Sequence, residues 1–363
     1  MTDAKTDRRF MDACLRLARR HRGLTASNPS VGTLLVQFDG DVPVVVGKGI
    51  TAKGGRPHAE RLAIDQAGEK AKGATAYVSL EPCAHHGATP PCAQALIDAG
   101  VSRVVTAWTD PDSRVDGKGH AMLQAAGVGV ETGQGAETAA HDLGGYLNRK
   151  LKNRPYVTLK LAVSSNGKLG LIGQEVSITG AIAKSVTHRL RAENDAILVG
   201  RGTVEADDPE LTCRLNGLEF RSPQRFVMDA NATLSPSSDL ATGAKTTPTH
   251  VISTKTELPQ SLTDKGVRLF VAETHDGQLA LPEILEDMAA SGISTLMVEG
   301  GAKVAQSFLK AGLVDEIVLL TGQIEIGEEG IASPLAASDL EAGFTLARHM
   351  VLGDDTMDIY KKV

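Results

Sequence analysis

The chain has 363 residues, a net charge of −6, 42% hydrophobic residues and 3% aromatics. That length exceeds one average domain and suits two. There is no apolar run long enough to span a bilayer and no signal-peptide pattern over the charged stretch Met1 to Arg9, so we expect a cytoplasmic protein without a membrane partner. The acidic balance and scarce aromatics argue against nucleic acid, which calls for a basic surface and stacking platforms.

In chain order, Phe10, Met11, Cys14, Leu15 and Ala18 predict the apolar side of a first helix. Its basic tail, Arg16 to Arg22, ends at Gly23, and cations at a helix C-terminus are ordinary surface chemistry. Strands follow at Thr33–Phe38 and Val42–Val46. His58 opens a helix, since Ala59, Leu62, Ala63 and Ala67 keep an apolar face at helical spacing. A strand at Thr75–Leu80 leads into Pro82-Cys83. Pro91-Cys92 opens a further helix, Ala93–Ala99, stopped by Gly100. Strands at Arg103–Ala107 and Val128–Glu131 complete an α/β sandwich with a mixed sheet over residues 1–147.

His58, Glu60, Cys83 and Cys92 carry the chemistry of this half. One imidazole and two thiolates can hold Zn²⁺ and leave a fourth position for water, and a carboxylate two residues after the histidine can move protons without binding metal. Two buried thiols and a helix-capping histidine would be the plainer account, but His-x-Glu and both Pro-Cys pairs would then have to coincide. Four cysteines, Cys14, Cys83, Cys92 and Cys213, do not make a disulfide framework. Eight residues separate Cys83 from Cys92, where the general deaminase signature has two, and Ala84 to Pro91 reads as a polar loop over the site.

A basic, Pro-containing segment, residues 148–155, reads as the linker. The second domain, 156–363, alternates strands (Tyr156–Val163, Ala196–Val199, Arg225–Met228, His250–Ser253, Arg268–Val271, Thr295–Val298, Glu316–Leu320) with helices near Ala181–Arg191, Leu281–Ala290 and Lys303–Ala311. That pattern predicts a doubly wound α/β domain, with ligands at strand ends. Candidate loops are Ser164 to Lys168, Gly200 to Pro209 and Glu299 to Ala302, the last a glycine turn entering a helix. Each is weak alone: Glu-Gly-Gly is commonly a plain turn, Asp207 could serve a helix-capping turn, and Lys160 could be an ordinary edge lysine.

The segment Ser79-Leu80-Glu81-Pro82-Cys83-Ala84-His85-His86-Gly87-Ala88-Thr89-Pro90-Pro91-Cys92 resembles the bifunctional riboflavin-biosynthesis deaminase–reductases. So do Asn28-Pro29-Ser30-Val31-Gly32 and the run Asp110 to Gly119, and the likeness covers nearly the whole chain. It implies a cytidine-deaminase-like α/β/α sandwich followed by a dihydrofolate-reductase-like α/β domain, with Zn²⁺ and NADPH as cofactors. The substrate it implies is a phosphoribosylated diaminopyrimidinone, first deaminated and then reduced from ribose to ribitol.

By the same resemblance, NADPH contacts fall at Val163, Ser177, Thr203, Asp207, Ala230, Gly300, Gly301 and Ala302. Substrate contacts fall at Asn28, His85, Arg191, Leu211, Arg214 and Glu299. Guanidinium forks suit the substrate's phosphate. Lys160 and Asp207 are the candidates for polarising or protonating the reacting imine. Asn28 either caps a turn or reads the pyrimidinone edge; His85 either sits in solvent or meets substrate; Ser30 is a third neighbour. Two-domain chains of this kind are expected to form homo-oligomers.

Three departures from the family stand out. Ala88 replaces a basic residue in the metal loop, a loss that Arg56 could offset. Ser177 stands where an aromatic precedes Ile178-Thr179, and Asn166 replaces an aspartate beside Gly167. The alternative they raise is a deaminase whose second domain only binds cofactor or dimerises.

Overall fold

The computed structural model describes every residue except 1–2, 41, 88–89, 174–175, 336–339 and 341–342, so the Ala88 departure lies outside the described residues. The chain divides into two compact units, residues 1–153 and 154–363.

The first unit comprises α1 (Ala4–Ala18), β1 (Gly32–Asp39), β2 (Val42–Ile50), α2 (Ala59–Ala67), β3 (Thr75–Val78), α3 (Cys92–Asp98), β4 (Arg103–Thr106), α4 (Lys118–Ala125), β5 (Gly129–Thr132), α5 (Ala136–Asp142) and α6 (Gly144–Lys152). Its sheet runs β2-β1-β3-β4-β5. β1 pairs antiparallel with β2 and β3, while β3, β4 and β5 are parallel. Two glycines show how the layers stack. A side chain on Gly32 would overlap the Cys14 carbonyl of α1, and one on Gly49 the Ala59 carbonyl of α2. Gly49 lies opposite Thr33, so it shares Thr33's face, and Gly32 next door points the other way. Helices α1 and α2 therefore cover opposite faces of a three-layer sandwich. Asp3 caps α1 by accepting from the Thr6 N–H, and Phe10, Met11, Cys14, Leu15 and Ala18 are its buried stripe, as the spacing predicts.

The expected linker is not a linker over most of its length. Residues 148–152 are the closing turns of α6, whose Asn153 cap is left-handed (φ +52°). Charge and a nearby proline suggest a connector, but Tyr146, Leu147 and Asn148 are buried and continue the helix into it.

The second unit comprises β6 (Tyr156–Val163), α7 (Ala181–Glu193), β7 (Ala196–Gly200), α8 (Arg201–Asp207), β8 (Gln224–Met228), α9 (Asp239–Thr242), β9 (Thr249–Ser253), α10 (Gln260–Thr263), β10 (Arg268–Val271), the short pair β11 (Thr274–His275) and β12 (Gln278–Leu279), α11 (Leu281–Ala290), β13 (Thr295–Glu299), α12 (Ala302–Lys310), β14 (Glu316–Thr321), β15 (Phe344–Leu352) and β16 (Asp355–Lys362). Nine strands form one sheet, β10-β9-β8-β7-β13-β6-β14-β16-β15. The run from β10 to β14 is parallel; β16 and β15 add antiparallel at one edge. The predicted strands fall in place, but the terminal hairpin was not foreseen, because β15 is largely exposed and lacks a buried stripe. Since β8, β7, β13 and β6 are adjacent and parallel, their carboxyl ends share one edge, where α/β sheets place ligands. No helix among the described residues is long and apolar enough to cross a membrane.

Candidate active sites in the two domains

His58 occupies the N-cap position of α2 with extended backbone (φ −71°, ψ 158°), yet its side chain caps nothing. The imidazole turns instead to the sulfurs: Nδ1 lies 3.4 Å from Cys92 Sγ and 3.7 Å from Cys83 Sγ. A tetrahedral ion with metal–sulfur bonds of about 2.3 Å and a metal–nitrogen bond of about 2.0 Å spaces its ligands by roughly 3.6 Å. The donor set thus fits Zn²⁺ in chemistry and in spacing, and it is the only metal-ligating cluster of His, Cys, Asp and Glu found among the described residues. Cys92 opens α3, and its N–H donates to Cys83 Sγ at 3.3 Å, so a helix terminus supports the thiolate. Hydrogen bonds from the Cys92 thiol and from His58 hold the Cys83 thiol down at about 4.

Glu60 sits in the first turn of α2, 3% exposed and beside the Cys92 thiol. Burial, and then the Cys83 thiolate, push its carboxyl up to about 7. Asn28 is half-buried, and its side-chain nitrogen packs against Gly55. The local turn is closed by Thr25, whose hydroxyl donates to the Asn28 carbonyl, so of the two readings of Asn28 the capping one is unfilled. His85 keeps a buried Nδ1 with no partner. Ser30 is drawn away, its hydroxyl donating to the Ala18 carbonyl at 2.7 Å.

Glu81 is a positioning residue that spacing alone did not reveal. It is buried, and its carboxylate accepts from the backbone N–H groups of Asp110, Gly117, Gly119 and His120 at 2.9–3.2 Å. Gly119 in turn packs on the Pro82 carbonyl next to the ligand Cys83. The signal was present as a carboxylate before Pro-Cys together with the Gly-x-Gly of residues 117–119.

In the second unit, Lys160 on β6 and Glu299 on β13 stand opposite each other in register. Glu299 accepts from Lys160 Nζ at 3.2 Å and from Arg191 Nε and Nη2 at 3.0 Å each. Burial alone would raise this carboxyl, but the two cations outweigh it and hold it at about 2. Arg191 also donates to the Thr212 carbonyl, so three of its five N–H donors are engaged inside the protein. It therefore ties the 208–214 loop to Glu299, and the open phosphate fork expected of it is not what the structure presents. Arg214 is exposed and paired with Glu210 at 3.0 Å, and Leu211 is buried with φ +55°, a strained turn beside it.

The cofactor candidates gather at the shared strand edge. Gly301 N–H donates to Thr203 Oγ1 at 3.2 Å, and Gly300 (φ +105°) leaves only 3.0 Å between a hypothetical Cβ and that hydroxyl. This glycine cradle, opening α12 at Ala302, fits the backbone approach a pyrophosphate needs. Val163 ends β6, and Ala230 follows β8, its carbonyl bound by Ser253 and Thr254. Ser177 is exposed and accepts from Lys184 Nζ at 2.8 Å. Asp207 is exposed at the end of α8, whereas Lys160 is half-buried against Glu299. Asn166 uses both sides of its amide: Nδ2 donates to the Ile326 carbonyl at 2.7 Å, and Oδ1 accepts from Ser164 Oγ and Ile326 N–H. An aspartate could not make the first of these bonds.

Comparison with known proteins follows the same division. Residues 4–108 match the cytidine and deoxycytidylate deaminase zinc-binding region, and residues 155–357 match the RibD C-terminal domain. The riboflavin biosynthesis protein RibD of Aquifex aeolicus is 38% identical over 98% of both chains, and that of Escherichia coli 36% identical over 98% of this chain and 96% of its own. Acinetobacter baumannii RibD superposes with a TM-score of 0.87 at 33% identity, covering 99% of this chain and all of the other. A Thermotoga maritima deaminase/reductase reaches 0.86 at 28% identity, with 99% of each chain covered. With a zinc deaminase domain and an NADPH-dependent reductase domain in one polypeptide, the chain belongs to the RibD family of bifunctional riboflavin-biosynthesis enzymes.

Proposed function

We propose that residues 1–147 deaminate a phosphoribosylated 2,5-diaminopyrimidin-4-one and that residues 156–363 reduce the ribosyl group of the product to ribitol. The observation that carries the first half is the His58–Cys83–Cys92 cluster with Glu60 buried beside it. Bound there, Zn²⁺ supplies hydroxide at neutral pH by lowering the pKa of water. Glu60 takes the proton from the attacking water and passes it to the ring nitrogen, then takes the hydroxyl proton of the resulting adduct and passes it to the departing amine, which leaves as ammonia. Asn28 pairs with donor and acceptor edges of the ring, and the unpartnered His85 Nδ1 meets the substrate.

NADPH supplies hydride to the C1 carbon of the opened ribosylamine imine. The chain's part is to hold that carbon in line and to deliver a proton to the imine nitrogen. Lys160, oriented by Glu299, is better placed for that than the exposed Asp207. Val163, Ser177, Thr203, Asp207, Ala230 and Gly300 to Ala302 line the cofactor side; Leu211, Arg214 and Glu299 line the substrate side, with Arg191 holding the loop. The intact Lys160–Glu299–Arg191 centre favours two activities over a second domain that merely binds.

We place the enzyme in the cytoplasm, in keeping with four free cysteines. We also propose that it acts on small molecules rather than nucleic acid and forms a homo-oligomer. The edge strand β15 supports the last point, since it exposes Leu346 and Val351. Mass spectrometry of the substrate after incubation with zinc-loaded protein tests the whole: loss of the amine without NADPH, and a further gain of two hydrogens with it, are expected. Deamination without reduction would leave the second domain a binding module.

A further inference from the structure

We propose that Arg56 binds the phosphate of the deaminase substrate; the assignment rests on the phosphoribosylated-pyrimidine reading above. Arg56 is exposed and stands two residues before the metal ligand His58. Its guanidinium reaches the loop that joins the other two ligands: a Cβ on Gly87 would lie 3.1 Å from Nη2 and 3.9 Å from Cζ and Nη1. Its neighbour Gly55 carries the Asn28 amide against its own backbone. The same loop holds the His85 Nδ1 that is buried without a partner.

An amide, an unsatisfied imidazole nitrogen and a guanidinium therefore rim one metal cluster, from three separate stretches of chain. The first two suit ring edges. The third suits a dianion, because a planar fork of N–H donors matches phosphate oxygens in pairs. Residues 84–91 contain no lysine or arginine, so the cation over this loop comes from outside it. A contact to the phosphate is remote from the reacting carbon and holds ground state and transition state alike, so its loss raises KM and spares kcat.

The test is deamination kinetics of the full zinc-loaded chain, R56A and R56K, on the phosphorylated substrate and on the same compound after enzymatic removal of its phosphate. With R56A, KM for the phosphorylated compound is expected to rise by roughly 10- to 100-fold, the range for a lost charged hydrogen bond. KM for the dephosphorylated compound and both kcat values should move by less than about 3-fold, R56K should recover part of the loss, and zinc content should be unchanged. An unchanged KM, or equal losses on both compounds, would overturn the assignment, the latter by making Arg56 a prop for the loop. A wild-type chain that deaminates neither compound would instead overturn the substrate reading, and the assignment with it.

Discussion

Lys160 and Glu299 face each other across adjacent parallel strands, 3.2 Å apart, and Arg191 closes on the same carboxylate from α7. Two cations thus share one largely enclosed anion, its side chain 13% exposed, at the carboxyl end of the sheet. Replacing Glu299 by glutamine strands both charges, a loss of about 3–5 kcal/mol for a broken buried pair. We expect E299Q to lower the unfolding midpoint of the second domain and to abolish reduction while deamination continues. Parallel assays of the two reactions on one preparation check this; equal loss of both would count against it.

The same carboxylate sets an acid limit. It is held at about 2 in the folded chain against about 4.5 when unfolded. Its contribution is therefore complete above pH 4.5 and disappears as pH falls toward 2, where the unfolded form binds the proton first. Unfolding of the wild type followed from pH 5 to pH 2 should steepen through this window, and E299Q should show a shallower slope. Identical slopes would show that the centre does not contribute.

Glu60→Gln keeps size and removes proton transfer. Deamination is expected to drop by roughly 10²- to 10⁴-fold, with zinc content unchanged by elemental analysis. Cys83→Ser, or prolonged chelation, should remove zinc and deamination together yet leave reduction of the already deaminated compound intact.

Glu81→Ala leaves four backbone N–H groups of the 110–120 segment without their acceptor. At about 1–3 kcal/mol for each buried orphan that water does not reach, we expect a marked fall in melting temperature and weaker zinc retention. Faster zinc transfer to a chromogenic chelator would show the effect on the site itself; unchanged transfer would confine Glu81 to fold stability.

Asn166→Asp restores the residue common in the family but removes the donor to the Ile326 carbonyl and sets a carboxylate against it. A loss of about 1–3 kcal/mol is expected, read as a lower unfolding midpoint. A more stable variant with faster reduction would mean that the asparagine weakens the second domain.

The zinc ligands and the parallel strands were legible because each rests on local signals: His-x-Glu, Pro-Cys, and short apolar runs ended by glycine. What escaped depends on partners remote in sequence. Arg191 reads as a phosphate fork until Glu299, 108 positions away, is seen to occupy it. Asn166 reads as a weakened aspartate until Ile326 supplies the acceptor. Glu81 reads as spacing around the cysteines until four amides converge on it. Residues 148–152 read as a connector for the converse reason, since their charge is visible in sequence and the burial of the turn before them is not.

The two centres differ in how much chain must exist before either can form. His58 and Cys92 are 34 positions apart, whereas Lys160 meets Glu299 across 139. On the ribosome, where N-terminal domains fold as they emerge, the metal site can close and load its ion while the strand bearing Glu299 has yet to be made. Translation halted after residue 153 would release a zinc protein, whereas any nascent chain that stops short of β13 carries Lys160 with no counter-ion.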